Sequence, residues 1–219
     1  MVGSLSSTIE VNLVSASVPR GVVAVVRTDN PEHALTIGRG LSRTRVAAIE
    51  VTMTVPDAVD VIGRLVSEGV QRVGAGTVRT ADQVKACAAV GAVFVVSPHT
   101  DPAVVRTAVD LGLAVVPGTL TPSEVMAALA MGATGAKIFP VGAVGGIAYV
   151  QALLEPLPDV PLVVSGGIEP VDVPRYREAG AVGVCLGRPL WRLEDVAAGD
   201  VEAVYAYASS VLDVADPLT

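Results

Sequence analysis

Two ionisable side chains stand in segments that otherwise hold almost nothing polar. Lys137 lies in Ala133-Thr134-Gly135-Ala136-Lys137-Ile138-Phe139-Pro140, a short run closed by a proline, and it is one of only two lysines among 15 basic residues. The other, Lys85, sits in a helix-like run from Ala81 to Val90 where a solvated amine is expected. An amine withdrawn from water into a strand favours its neutral form, and a neutral amine is a nucleophile toward carbonyls. The competing reading is a lysine that snorkels to the surface or pairs with a carboxylate. Glu50 stands in the apolar run Val46 to Val51, where a carboxylate is costly unless it is hydrogen-bonded or ion-paired. It reads either as half of a salt bridge with Arg27 or Lys137, or as the group that shuttles protons while an amine forms and breaks a covalent adduct.

A second pattern suits an anion. Ser165-Gly166-Gly167-Ile168 is followed downstream by Gly187-Arg188. Glycines let backbone N–H groups approach an anion, and the N-terminus of a following helix adds partial positive charge. Two such turns, together with Arg188, point to a phosphate or carboxylate. The alternatives are glycines that merely make tight turns, and an Arg188 that turns outward to Glu194 or Asp195. His33 and His99 lack metal-ligand spacing, as do Cys87 and Cys185, so no metal site is expected.

The elements that must position these residues alternate along the chain. After a short amphipathic stretch from Ser4 to Val18, strands are expected at Val22–Arg27, Val46–Val51, Arg72–Thr77, Val93–Val96, Leu113–Val116, Thr134–Ile138, Leu162–Ser165 and Val182–Leu186. Helices are expected at Pro31–Ser42, Pro56–Glu68, Thr80–Val90, Asp101–Leu111, from Thr121, and at Gly146–Leu154, Val171–Ala179 and Val201–Leu212. Asn30-Pro31 and Thr121-Pro122-Ser123-Glu124 carry start signals of cap, proline and first-turn acid. Eight strand–helix units imply a closed (β/α)8 TIM barrel in one domain spanning 1–219, with a short N-terminal helix. A doubly wound open sheet would need a glycine fingerprint after the first strand, where Arg27-Thr28-Asp29-Asn30-Pro31 stands instead. In a barrel the chemistry gathers at the strand C-termini. Those ends carry Arg27, Glu50, Thr77, Pro98, Pro117, Lys137, Ser165 with its glycines, and Gly187-Arg188.

Composition narrows the partners. Half the residues are hydrophobic and only 3% are aromatic, so Val, Ala, Leu and Ile must build the core, as suits strands buried on both faces. A net charge of −7 with no basic block argues against nucleic acid. No run reaches the ~18 apolar residues of a membrane span. Met1 to Pro19 lacks the basic start and continuous apolar core of a signal peptide. A reduced, cytoplasmic chain without a membrane partner is the expectation.

Together, Ile49-Glu50-Val51-Thr52, Gly74-Ala75-Gly76-Thr77-Val78, Ser97-Pro98, Pro117-Gly118, Lys137-Ile138-Phe139-Pro140, Gly145-Gly146 and Gly166-Gly167-Ile168 resemble the bacterial KDPG/KHG aldolase family. The resemblance runs in order from about Val22 to Trp191. It implies class I, metal-independent cleavage of 2-keto-3-deoxy-6-phosphogluconate or 4-hydroxy-2-oxoglutarate to pyruvate and an aldehyde, in a homotrimer. It makes Lys137 the Schiff-base lysine and Glu50 the general acid/base, with no cofactor beyond the imine. It sets Thr77, Pro98, Pro117, Phe139 and Ser165 around the pyruvate, and Gly166, Gly167, Gly187 and residue 188 around a distal phosphate. Two positions depart from the pattern. Thr54 stands where phosphogluconate-type members carry a carboxylate-binding arginine, a residue that the galactonate-type branch also lacks. Arg188 stands where a serine is common. Arg27 matches an arginine found on the first strand of many members, and it or a backbone N–H nest would neutralise the keto-acid carboxylate. The rivals are a phosphate-binding isomerase or epimerase, which would need paired acids or an acid and a histidine, and a non-catalytic ligand-binding barrel.

Overall fold

The computed structural model describes residues 17–217. Strands and helices alternate as β1 (Gly21–Val26), α1 (Pro31–Ser42), β2 (Ala48–Thr52), α2 (Ala58–Ser67), β3 (Val73–Gly76), α3 (Ala81–Ala89), β4 (Phe94–Val96) and α4 (Pro102–Asp110). They continue as β5 (Ala114–Val116), β6 (Gly118–Thr119), α5 (Pro122–Ala130), β7 (Ala136–Ile138), α6 (Gly146–Leu154), β8 (Leu162–Val164), α7 (Val173–Glu178), β9 (Gly183–Leu186), α8 (Leu193–Ala197) and α9 (Val201–Ala215).

Local chemistry sets the helix starts. The Asn30 side chain accepts from the N–H groups of Glu32 and His33, Asp101 caps α4, and Thr121 and Glu124 form a reciprocal capping box on α5. Each satisfies donors that a helix N-terminus otherwise leaves unpaired.

All strands are parallel in one sheet of order β5-β4-β3-β2-β1-β9-β8-β7-β6. The two ends of that order are consecutive in sequence, so the sheet curls into a nearly closed barrel. The expected fifth strand is β5, and a further two-residue segment, β6, follows it after Pro117. Pro117 has no N–H to give to a ladder, and the chain changes partner there: β5 pairs with β4, and β6 pairs with β7. Thr134 bridges the seam, its N–H donating to the Val115 carbonyl at 2.9 Å and its Oγ1 accepting from the Val115 N–H at 3.0 Å.

Other boundaries differ from the sequence reading. The strand at Lys137 begins at Ala136 rather than Thr134, because Thr134 is occupied at that seam. The expected Val171–Ala179 helix is a 3-10 turn, Pro170–Asp172, followed by α7. The short helix α8 has no counterpart among the expected elements, and α9 runs on to Ala215. The expected N-terminal helix lies outside the described residues except for Ser17 and Val18, which are irregular.

The parallel register fixes which side chains face inward. Glu50 pairs with Val25 and Gly74, and Lys137 with Gly118 and Val163. Alternate residues on each side of these pairs form a small inner cluster that includes Val23, Ala48, Phe94, Ala114, Val163 and Cys185. The intervening residues, such as Val22, Ile49, Ile138 and Leu162, pack outward against the helices in the main core. Val18 belongs to the inner cluster and lies against Gly135, closing the N-terminal end of the barrel. A separate cavity of about 430 Å³ lies where the chain enters β2 and β3, between Thr44, Val46, Val70 and Arg72.

Candidate active site

Glu50 and Lys137 both point into the barrel near its C-terminal mouth, with 4% and 6% of their surfaces exposed. Glycine makes room for the carboxylate. A Cβ at Gly76 would lie 1.8 Å from Glu50 Oε1 and 2.5 Å from its Cδ, so the carboxyl group occupies the space a side chain on β3 would need. Glu50 Oε2 is buried and has no hydrogen-bond partner among the described residues. Burial pushes the Glu50 carboxyl above its ordinary value, against the opposing pull of the Lys137 and Arg27 charges.

Lys137 is anchored through its backbone: its N–H donates to the Pro117 carbonyl at 2.9 Å, and its carbonyl accepts from Thr119 Oγ1 at 3.3 Å. Its Nζ stands 5.0 Å from the centroid of the Phe139 ring. The Cys185 thiol is in the same buried cluster. Burial and the nearby Glu50 charge push it up to about 12, while Lys137 and a hydrogen bond with Ser165 act the other way.

Arg27 leaves the end of β1 and is held by two hydroxyls. Nη1 donates to Thr54 Oγ1 at 3.3 Å and Nη2 to Thr77 Oγ1 at 3.1 Å. Thr54 in turn shares a 2.9 Å hydrogen bond with Thr52. Thr54 thus acquires a part that the sequence did not disclose: it holds an arginine 27 residues away. Arg27 also lines two adjoining cavities.

A cavity of about 690 Å³ opens beside Phe139 and Cys185; Glu50, Lys137 and Thr77 are not among its lining residues. Its wall brings together Arg27, Phe139, Ser165, Gly166, Gly167, Gly187 and Arg188, all expected from the sequence, and adds Cys185 and Tyr207. Gly166 and Gly167 adopt φ of +92° and +75°, a region in which a side chain would be strained. Their turn is stitched to the loop after β7, where the Val141 N–H donates to the Ser165 carbonyl and the Gly142 N–H to that of Gly166, each at 2.9 Å. Pro98 and Pro117 lie beneath the mouth and do not line this cavity; the Pro98 carbonyl packs against Gly118. Arg188 donates to the Trp191 carbonyl, while Glu194 and Asp195 are taken by Arg192. His99 is exposed, and His33 lines an adjoining cavity with Arg27 and Arg188. Among the described residues, no group of three or more His, Cys, Asp or Glu side chains is placed to hold a metal, and no helix is long and apolar enough to cross a membrane.

The arrangement joins a buried amine, a buried carboxyl group under the influence of its charge, and a cavity lined by two arginines and paired glycine turns. Comparison with known proteins agrees with that chemistry. Residues 15–207 match the family model described as KDPG and KHG aldolase. A probable 2-dehydro-3-deoxy-6-phosphogalactonate aldolase of Rhizobium meliloti (strain 1021) is 35% identical over 187 residues, 83% of this chain and 86% of its own. A 2-dehydro-3-deoxy-phosphogluconate aldolase of Treponema pallidum (strain Nichols) is 32% identical over 194 residues, 88% of this chain and 92% of its own. A solved KDPG aldolase of Legionella pneumophila, holding pyruvate captured at low pH as a covalent carbinolamine intermediate, superposes with a TM-score of 0.76 at 27% identity over 88% of this chain and 94% of its own.

Proposed function

The chain belongs to the KDPG and KHG aldolase family, galactonate branch included, and from that membership we propose that Lys137 is its Schiff-base nucleophile and Glu50 its proton carrier. The activity is that of a class I aldolase that releases pyruvate. The Lys137 amine adds to C2 of a 2-keto-3-deoxy acid, and loss of water from the carbinolamine leaves an iminium. Glu50 takes the proton of the C4 hydroxyl as the C3–C4 bond breaks. The bonding pair moves to the iminium nitrogen, giving an enamine and a free aldehyde. Glu50 returns the proton to C3, and hydrolysis releases pyruvate and restores the lysine. The imine is the electron sink, so the reading requires no metal.

The observation that carries this assignment is the burial of Glu50 and Lys137 in one barrel, the Lys137 charge acting on a Glu50 carboxyl that makes no ion pair among the described residues. Arg27, cradled by Thr54 and Thr77, serves the keto-acid carboxylate in place of an arginine at position 54. Ser165, Thr77, Pro98, Pro117 and Phe139 surround the pyruvyl group. The backbone of Gly166, Gly167 and Gly187, with Arg188, takes the distal phosphate. Absence of an arginine at Thr54 and the Rhizobium meliloti relative favour a 2-keto-3-deoxy-6-phosphogalactonate-type substrate beside the gluconate epimer. The enzyme acts in the cytoplasm as a homotrimer; exposed Val109, Leu111 and Met126 supply apolar surface for such contacts.

Exchange of pyruvate methyl protons in D2O tests the chemistry without committing to an aldehyde. The exchange should proceed in the presence of EDTA and vanish in Lys137→Met. Exchange that EDTA abolishes and added divalent metal restores would overturn the assignment.

A further inference from the structure

The distal end of the substrate cavity is finished by a residue outside the strand–loop framework. Helix α9 packs against the two turns that follow β8 and β9, Pro170–Asp172 and Arg188–Leu190. From that helix Tyr207 reaches the cavity wall, on the side formed by Gly167, Glu169, Arg188 and Pro189. Its ring stacks with a paired cation. The Arg192 guanidinium lies 5.3 Å from the Tyr207 ring centroid, and Arg192 is itself clamped by Asp195 through Nε–Oδ2 at 2.7 Å and Nη2–Oδ1 at 3.1 Å. Asp195 is 9% exposed, so the clamp is anchored in the fold. A planar side chain stacked by a paired cation loses little further freedom when a ligand arrives.

Resting on the aldolase reading above, we propose that Tyr207 is a specificity-determining residue: its phenol closes the distal end of the cavity and donates a hydrogen bond to the anionic group on the aldehyde-derived half of the substrate. Two features favour an anion as the group read there. Arg188 lines the same cavity as Tyr207, with Glu169 as the acid on that wall. A phenol also donates without bringing a charge, so it adds selectivity beside an arginine that supplies attraction. The chemical class is a 2-keto-3-deoxy acid with a phosphoryl group at its far end. A short dicarboxylic substrate such as 4-hydroxy-2-oxoglutarate carries no phosphoryl group for the phenol to read.

The test compares kcat/KM for 2-keto-3-deoxy-6-phosphogluconate and for 4-hydroxy-2-oxoglutarate in the wild type, Tyr207→Phe and Tyr207→Leu. One hydrogen bond to a charged group predicts a fall of about 10- to 100-fold on the phosphorylated substrate in Tyr207→Phe, with the short substrate nearly unchanged. Tyr207→Leu should fall at least as far. Equal ratios between the two substrates in all three proteins would overturn the proposal, as would equal losses on both substrates. Pyruvate methyl exchange, run on the same samples, separates the two levels. Exchange should persist in both variants; its absence in the wild type would fail the aldolase reading itself, not the role of Tyr207.

Discussion

Gly76→Ala tests whether the place of Glu50 is as tight as it looks. Gly76 is not among the glycines with positive φ, so alanine suits its backbone and the strain falls on the neighbour. The new methyl would meet Glu50 Oε1 at 1.8 Å, Cδ at 2.5 Å and Cγ at 2.6 Å. Against an ordinary contact distance of about 3.5 Å, the carboxyl group must retreat by about 1.5 Å. A displacement of about 1 Å is enough to cost ~100-fold in rate, and loss of a positioned acid–base group costs ~10²–10⁴-fold. Gly76→Ala should therefore lower kcat for pyruvate release by ~10²–10⁴-fold, close to the effect of Glu50→Gln. Combining the two should add little, because both remove one function. The same clash should cost about 1–3 kcal/mol in denaturant unfolding, and that cost should vanish in a Glu50→Ala background where the obstructing atoms are gone. A folded Gly76→Ala enzyme with near-native turnover would refute the reasoning. So would rate losses that multiply in the double variant.

Further outcomes follow from the charges around the site. The folded-state value of Glu50 is raised above 4.5 by burial, so its contribution to stability is present below that pH and is lost as pH rises through the folded value. Glu50→Gln should accordingly raise Tm relative to wild type more at about pH 8 than at about pH 4, and a gain that shrinks as pH rises would contradict the assignment. Arg27→Ala should raise KM for pyruvate exchange by about 10- to 100-fold, as expected for removing one charged contact to a carboxylate, and Thr54→Val should move it in the same direction by less; an unchanged KM would place the carboxylate elsewhere. Arg188→Ala should weaken a phosphorylated substrate about 10- to 100-fold more than 4-hydroxy-2-oxoglutarate, whereas equal losses would move Arg188 to the keto-acid end.

Much of this site is legible in the sequence because the barrel obeys a period of two. Glu50 and Lys137 are conspicuous as single polar residues in apolar runs, and strand alternation alone sends one side of each run inward. The glycine turns after β8 and β9 are readable for a related reason: Gly166 and Gly167 take positive φ that other residues resist. The partners that depend on register are not readable. Gly76 matters to Glu50 because β2 and β3 align Thr52 with Gly76, and no local pattern gives that pairing. The hold of Thr54 on Arg27 crosses from one strand end to another. Pro117 reads as the end of a strand, yet the chain continues past it with a new partner, since a proline removes one N–H without forcing the chain to turn away. Tyr207 is hidden for a different reason: it lies on an amphipathic helix whose sequence specifies packing against the barrel, not the loop it meets.

The assignment of Lys137 is open to one direct measurement. The enzyme is incubated with pyruvate and borohydride, digested, and mapped by mass spectrometry. One reduced pyruvyl group should appear on the peptide containing Lys137 and none on that containing Lys85, which is exposed and paired with Asp82. Glu50→Gln should slow the trapping without moving its position. A Lys137 peptide that remains unmodified after full exposure to both reagents would contradict covalent catalysis by this lysine.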